Sequence, residues 1–102
     1  MEKKKPKLYV SLPISGHDYD EVYARCAAAI AKYSDRYQVV TPVELVRDTN
    51  TPYNECMAIC IRELLTCDAA VFLDGWRDSK GCFLEYWTCR IYNIYNIEDN
   101  EL

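Results

Sequence analysis

The chain of 102 residues carries one histidine, His17, and three glycines. A single imidazole leaves Ser-His and Cys-His nucleophile pairs, and histidine-rich metal sites, almost nothing to work with. No run of about 18 apolar residues occurs, so a membrane-spanning helix is excluded. The first residues, Glu2 to Lys5, are charged and contain no apolar stretch of the kind a secretion signal needs, so a cytoplasmic protein is expected. Early lysines, Lys3, Lys4, Lys5 and Lys7, take up much of the positive charge. No basic stripe follows them and the net charge is −4, which argues against a nucleic-acid polymer as partner. The six cysteines include no CxxC pair. They fall within periodic segments, and Cys56 and Cys60 share one helical stripe with Leu64. They therefore read as core thiols, neither a disulfide framework nor a metal site. No metal and no cofactor are expected.

What is present is an alternation of strand and helix patterns in a length that suits one domain spanning residues 1–102. Leu8 to Leu12 is a short apolar run closed by Pro13 and by Ser15-Gly16, a buried strand ending in a turn. Asp18 to Tyr33 is helical, with Val22, Cys26 and Ile30 on one stripe. Tyr37 to Val40 is a second strand, and residues 43–50 read as a loop with Asp48, Thr49 and Asn50 as its polar part. Thr51 reads as the N-cap and Pro52 as the first position of a helix running to about Thr66. Ala69 to Leu73 is a strand covered on both faces, introduced by Asp68 in an architectural role. A third helix begins at Ser79 or Gly81 and runs to about Tyr92. Residues 94–97 form a short last strand, and the acidic tail from Glu98 reads as frayed. Such alternation predicts an α/β three-layer sandwich, Rossmann- or flavodoxin-like, with a small parallel sheet of three or four strands. Ligands of such sheets sit beyond the carboxyl ends of the strands. The loops at 13–17 and 74–81 are therefore expected to face one another.

Ser79-Lys80-Gly81-Cys82-Phe83-Leu84-Glu85 follows the last of these loops. Ser79 suits a helix cap or a donor to a ligand oxygen. Gly81 permits close approach. Glu85 in a cleft suits attack on an acetal carbon or support of an oxocarbenium-like centre. By spacing alone the same residues serve equally as a cap, a turn and a solvated helix position. Asp74 and Asp78 suit either ligand contact or turn formation, and His17 reads as a turn residue near the first loop.

Three segments in register resemble the nucleoside 2-deoxyribosyltransferase-like family and the related deoxynucleoside monophosphate N-glycosidases. They are Leu8-Tyr9-Val10-Ser11-Leu12-Pro13-Ile14-Ser15-Gly16, Leu64 to Leu73, and Gly75-Trp76 with Ser79, Gly81 and Glu85. The resemblance implies a nucleoside or nucleotide as small-molecule partner and Glu85 as a nucleophile at C1′, with Tyr9 beside it. It implies that Ser79, Gly81, Ser15 and Gly16 hold the ligand, and Trp76 offers an aromatic face for the base. Cys60 stands where active members carry an aspartate that handles the proton of the leaving base. Leu12 stands where they carry glycine, and Ser15 lies near where the N-glycosidases carry arginine. Two outcomes follow from the resemblance: an N-glycosidase or deoxyribosyltransferase, or a binding or interaction module of the same fold with impaired catalysis. Aromatic residues crowd the last third, Tyr86, Trp87, Tyr92 and Tyr95, and a homo-oligomer through this region is expected.

Overall fold

A computed structural model describes residues 4–102. The elements are β1 (Lys7–Ser11), α1 (Tyr19–Tyr33), β2 (Gln38–Val40), α2 (Pro42–Leu45), α3 (Tyr53–Leu64), β3 (Ala69–Leu73), a 3₁₀ turn at Trp76–Asp78, α4 (Lys80–Ile91) and β4 (Tyr95–Asp99). The strands form one parallel sheet in the order β2-β1-β3-β4. This is the doubly wound, flavodoxin-like order. The order in which strands are added reverses between β1 and β3, the point at which a crevice opens beyond the carboxyl ends of the strands in such sheets.

The parity of β1 divides the interior. Successive strand residues point to opposite faces. Leu8, Val10 and Leu12 pack with Val22, Cys26 and Ala29 of α1, together with Ala69, Val71 and Leu73 of β3. Tyr9 faces the other way, into Cys60 and Leu64 of α3, Ala70 and Phe72 of β3, and Cys82 and Cys89 of α4. All five residues of β3 are buried, as a central strand covered on both faces requires. Asp68 ties β3 to β1: its carboxylate accepts from the Lys7 amide at 2.8 Å, and its own amide donates to the Lys7 carbonyl at 3.0 Å. All six cysteines are free thiols. No helix among the described residues is long and apolar enough to cross a membrane.

Three boundaries differ from those expected from sequence. Residues 42–45 are helical rather than loop. Pro42 supplies a first helical position that needs no amide donor, and the Thr41 hydroxyl bonds the Glu44 carboxylate at 3.0 Å across the first turn. The next helix starts at Tyr53, with Pro52 rather than Thr51 in the cap position. The Thr51 hydroxyl instead donates to the Asp48 carbonyl at 2.8 Å, which closes the turn before the helix. The acidic tail is not frayed. Glu98 and Asp99 complete β4, and Asp99 is buried. Its carboxylate accepts from the Tyr33 hydroxyl at 2.6 Å and from the Lys32 ammonium at 2.7 Å. Burial works against the charge, but these donors outweigh it and hold Asp99 below the usual carboxylate range. Between α4 and β4, Asn93 takes a left-handed φ of 58° and lets the Ile94 amide reach back to the Cys89 carbonyl at 2.9 Å. This closes the helix in the Schellman manner.

The pin between Tyr33 and Asp99 holds the last strand to α1. Tyr33→Phe is expected to lower stability by ~1–2 kcal/mol, read as a lower urea midpoint with an unchanged slope. Asp99→Ala is expected to cost more, because it strands both donors.

Candidate functional site

Beyond the carboxyl end of β1 lies an open cavity of about 310 Å³. Its floor is built around Glu85. The inward stripe of α4 is Cys82, Glu85, Thr88 and Cys89, so Glu85 takes a core position that an apolar residue would normally fill. Its exposure is 5%. An unpaired carboxylate there would be very costly. Two residues of β1 answer it: the Tyr9 hydroxyl donates to Oε2 at 2.6 Å and the Ser11 hydroxyl donates to Oε1 at 2.8 Å. Burial raises the Glu85 pKa and the two hydrogen bonds lower it; burial wins, and the group moves from 4.5 to about 7. The Tyr9 hydroxyl, buried beside this charge, is pushed well above the ordinary phenol value and stays a donor.

The structure brings most of the expected residues to this cavity. Tyr9, Ser15, Cys60, Ser79, Gly81 and Glu85 all line it. Cys60 reaches it from α3, next to the Tyr9 hydroxyl, and burial pushes its thiol up to about 11. Ser79 caps α4 by accepting from the Cys82 amide at 3.3 Å, which leaves its own proton free for a ligand. A Cβ on Gly81 would stand 3.1 Å from the Met57 sulfur and 3.2 Å from the Tyr53 hydroxyl. Gly81 therefore lets the side chains of α3 close over the first turn of α4. Leu12 lines the cavity while anchoring the α1 side of the core.

Two expected residues are placed elsewhere. Gly16 does not line the cavity. It takes a φ of 81° in the turn closed by the His17 amide on the Ile14 carbonyl at 3.1 Å, so its part is to shape the loop that presents Ser15. Trp76 is also absent from the lining and only 4% exposed. Gly75, at φ 90°, turns the chain into the 3₁₀ segment and folds the indole into the interior, where it stacks on Tyr86 at 4.7 Å between ring centres. It therefore cannot stack on a ligand in this cavity. Besides the buried Tyr9, the aromatic residues that line it are Tyr19 and Tyr53, 43% and 50% exposed.

Sequence reading missed Ser11, Tyr19, Tyr53 and Asp48 as lining or site residues. A signal existed for Ser11: it shares strand parity with Tyr9, two residues away, and is a hydroxyl in an otherwise apolar strand. The loops at 13–17 and 74–81 face one another as expected: a Cβ added at Gly75 would stand 3.4 Å from the Pro13 ring, and both loops line one hollow. A second hollow of about 470 Å³ adjoins the first, sharing Ser15, Tyr53, Ser79 and Gly81 and adding His17, Arg25, Lys80, Asp74 and Asp78.

The elevated Glu85 pKa has a direct effect on stability. Between pH 4.5 and about 7 the folded state keeps a proton that the unfolded chain has released. Stability contributed by the protonated group is full below 4.5 and is lost as pH rises through about 7, by on the order of 3 kcal/mol. Glu85→Gln removes this titration. The difference in unfolding free energy between variant and wild type, measured from pH 4 to pH 8.5, is expected to shift in favour of the variant across that window.

No curated protein matches the chain. A family model, described as a domain of unknown function (DUF4406), matches residues 6–95, a span from the start of β1 to the first residue of β4 that takes in the whole cavity. The chain belongs to the DUF4406 family.

Proposed function

We propose that the protein cleaves the N-glycosidic bond of a deoxynucleoside or its nucleotide, as an N-glycosidase or deoxyribosyltransferase, with Glu85 as nucleophile. The observation that carries this reading is the buried carboxylate on the cavity floor, held at both oxygens by Tyr9 and Ser11. A carboxylate fixed this way presents itself in one orientation to an electrophilic carbon seated above it. In the proposed step an oxygen of ionised Glu85 forms a bond to C1′. The C1′–N bond breaks, and its electron pair leaves with the base, which takes a proton from solvent or from a neighbouring donor. Water or a second base then attacks C1′ and gives up a proton to solvent, while the C1′–O bond to Glu85 breaks and its electron pair returns to the carboxylate. The Tyr9 and Ser11 hydroxyls stabilise the carboxylate as it departs. The cavity suits the substrate, with hydroxyl-bearing Ser79 and Ser15 for the sugar and apolar Val43, Val46 and Met57 beside the rings of Tyr19 and Tyr53 for a base.

The second reading is a binding module that recognises the same ligand without turnover. Cys60 favours it: a buried thiol pushed to about 11 is a poor proton donor to a leaving base. Both readings admit a second copy of the chain over the half-exposed face of α4 formed by Phe83, Leu84, Trp87 and Ile91.

Chromatographic detection of free base from deoxynucleosides and their 5′-monophosphates separates the two. Catalysis predicts base release that Glu85→Ala lowers by on the order of 10³-fold or more. It also predicts a kcat/KM that rises with pH and levels above about 7, because the ionised form attacks. Cys60→Asp is expected to raise the rate by supplying an acid, an effect typically worth ~10²–10⁴-fold. Absence of base release from every substrate, with ligand-induced thermal stabilisation that survives Glu85→Gln, would leave the binding module.

A further inference from the structure

The cavity is lined from two sides of β1. Ser79 and Glu85 enter on α4, which follows β3, and Asp48 enters on the loop that follows β2 and α2. Since β1 lies between β2 and β3 in the sheet, the two carboxylates approach from opposite flanks. Apolar Leu12, Val46 and Met57 also line the cavity. A ligand with its sugar over Glu85 and Ser79 and its base against these apolar side chains would present a base edge to the exposed Asp48 on the other flank.

The Asp48 carboxylate is oriented by its own loop. Oδ1 accepts from the Asn50 amide at 3.0 Å, and the Asp48 carbonyl takes both the amide and the hydroxyl of Thr51, at 3.1 and 2.8 Å. Among the described residues no side chain donates to Oδ2, and no lysine, arginine or histidine forms an ion pair with the group. An ionised carboxylate only accepts hydrogen bonds. It rewards an amino group on the edge of a base and repels a carbonyl edge.

Resting on the nucleoside reading above, we propose that Asp48 sets base specificity by accepting from an exocyclic amino group, so that the ligand class is the amino-bearing bases rather than keto bases such as thymine. Asp48 is thus the specificity residue at one end of the cavity, as Glu85 is the reactive residue at the other.

The test measures dissociation constants by calorimetry in the Glu85→Gln background, which blocks cleavage. The probes are two matched pairs, 2′-deoxyadenosine with purine 2′-deoxyriboside and 2′-deoxyguanosine with 2′-deoxyinosine. Each pair differs by one amino group. In at least one pair the amino member is expected to bind about tenfold tighter or more, and Asp48→Ala is expected to erase that ratio. Asp48→Asn supplies a donor and is expected to improve binding of thymidine, a gain that a misfolded variant would not produce. Equal affinities within both pairs, or ratios that survive Asp48→Ala, would overturn the role of Asp48 while leaving the nucleoside reading in place. Failure of every nucleoside to bind, to this background and to wild type alike, would remove both.

Discussion

The arrangement rests on one buried carboxylate and the two hydroxyls that satisfy it. Glu85 sits where α4 packs on the sheet, and without Tyr9 and Ser11 it would be an unpaired polar group in the core. Satisfying it dictates much else. Tyr9 and Ser11 must share a face of β1, and that face must be the one α4 covers. Gly81 must be small enough for α3 to close over the start of that helix. Even with both hydrogen bonds the group titrates near neutrality. The core therefore accepts a destabilising charge at one place, and that place opens to a cavity. Buried titratable groups in clefts with specific donors are where chemistry or recognition concentrates.

Architecture was legible in the residues to the extent that periodicity and punctuation carried it. The uninterrupted apolar run at 69–73, the helical stripe of Val22 and Cys26, and the Ser79 cap each depend on local pattern, and each element stands near where that pattern puts it. One misplaced segment is decided by distant partners, the others by local alternatives that the pattern also permits. The tail from Glu98 looks solvated by composition, but Tyr33 and Lys32 on α1 pull Asp99 into the sheet. Pro42 looks like the end of a strand, and it is also a permitted start for a helical turn.

The site followed the same division. Glu85, Tyr9, Ser79 and Cys60 converge because each belongs to an element whose direction the strand-helix alternation sets. Trp76 did not, because an indole in a loop goes wherever the nearest apolar surface is. Here Gly75 turns it toward Phe72 and Tyr86. Its indole N–H is buried without a partner among the described residues, one unsatisfied donor offset by aromatic packing. Tyr19 and Tyr53 look like ordinary helix-start residues in sequence, and only the joining of two helix N-termini over one crevice gives them a common target.

The hydrogen bonds from Tyr9 and Ser11 to Glu85 span 76 and 74 residues of chain. No early fragment of the protein contains both ends of them. A nascent chain that has formed β1, α1 and β2 already holds the two hydroxyls, yet their acceptor arrives only when α4 docks. Loop closure over that distance is among the late entropic costs of assembly. A partly folded form in which α4 has not docked therefore lacks the Glu85 floor of the crevice and the acceptor its two hydroxyls need.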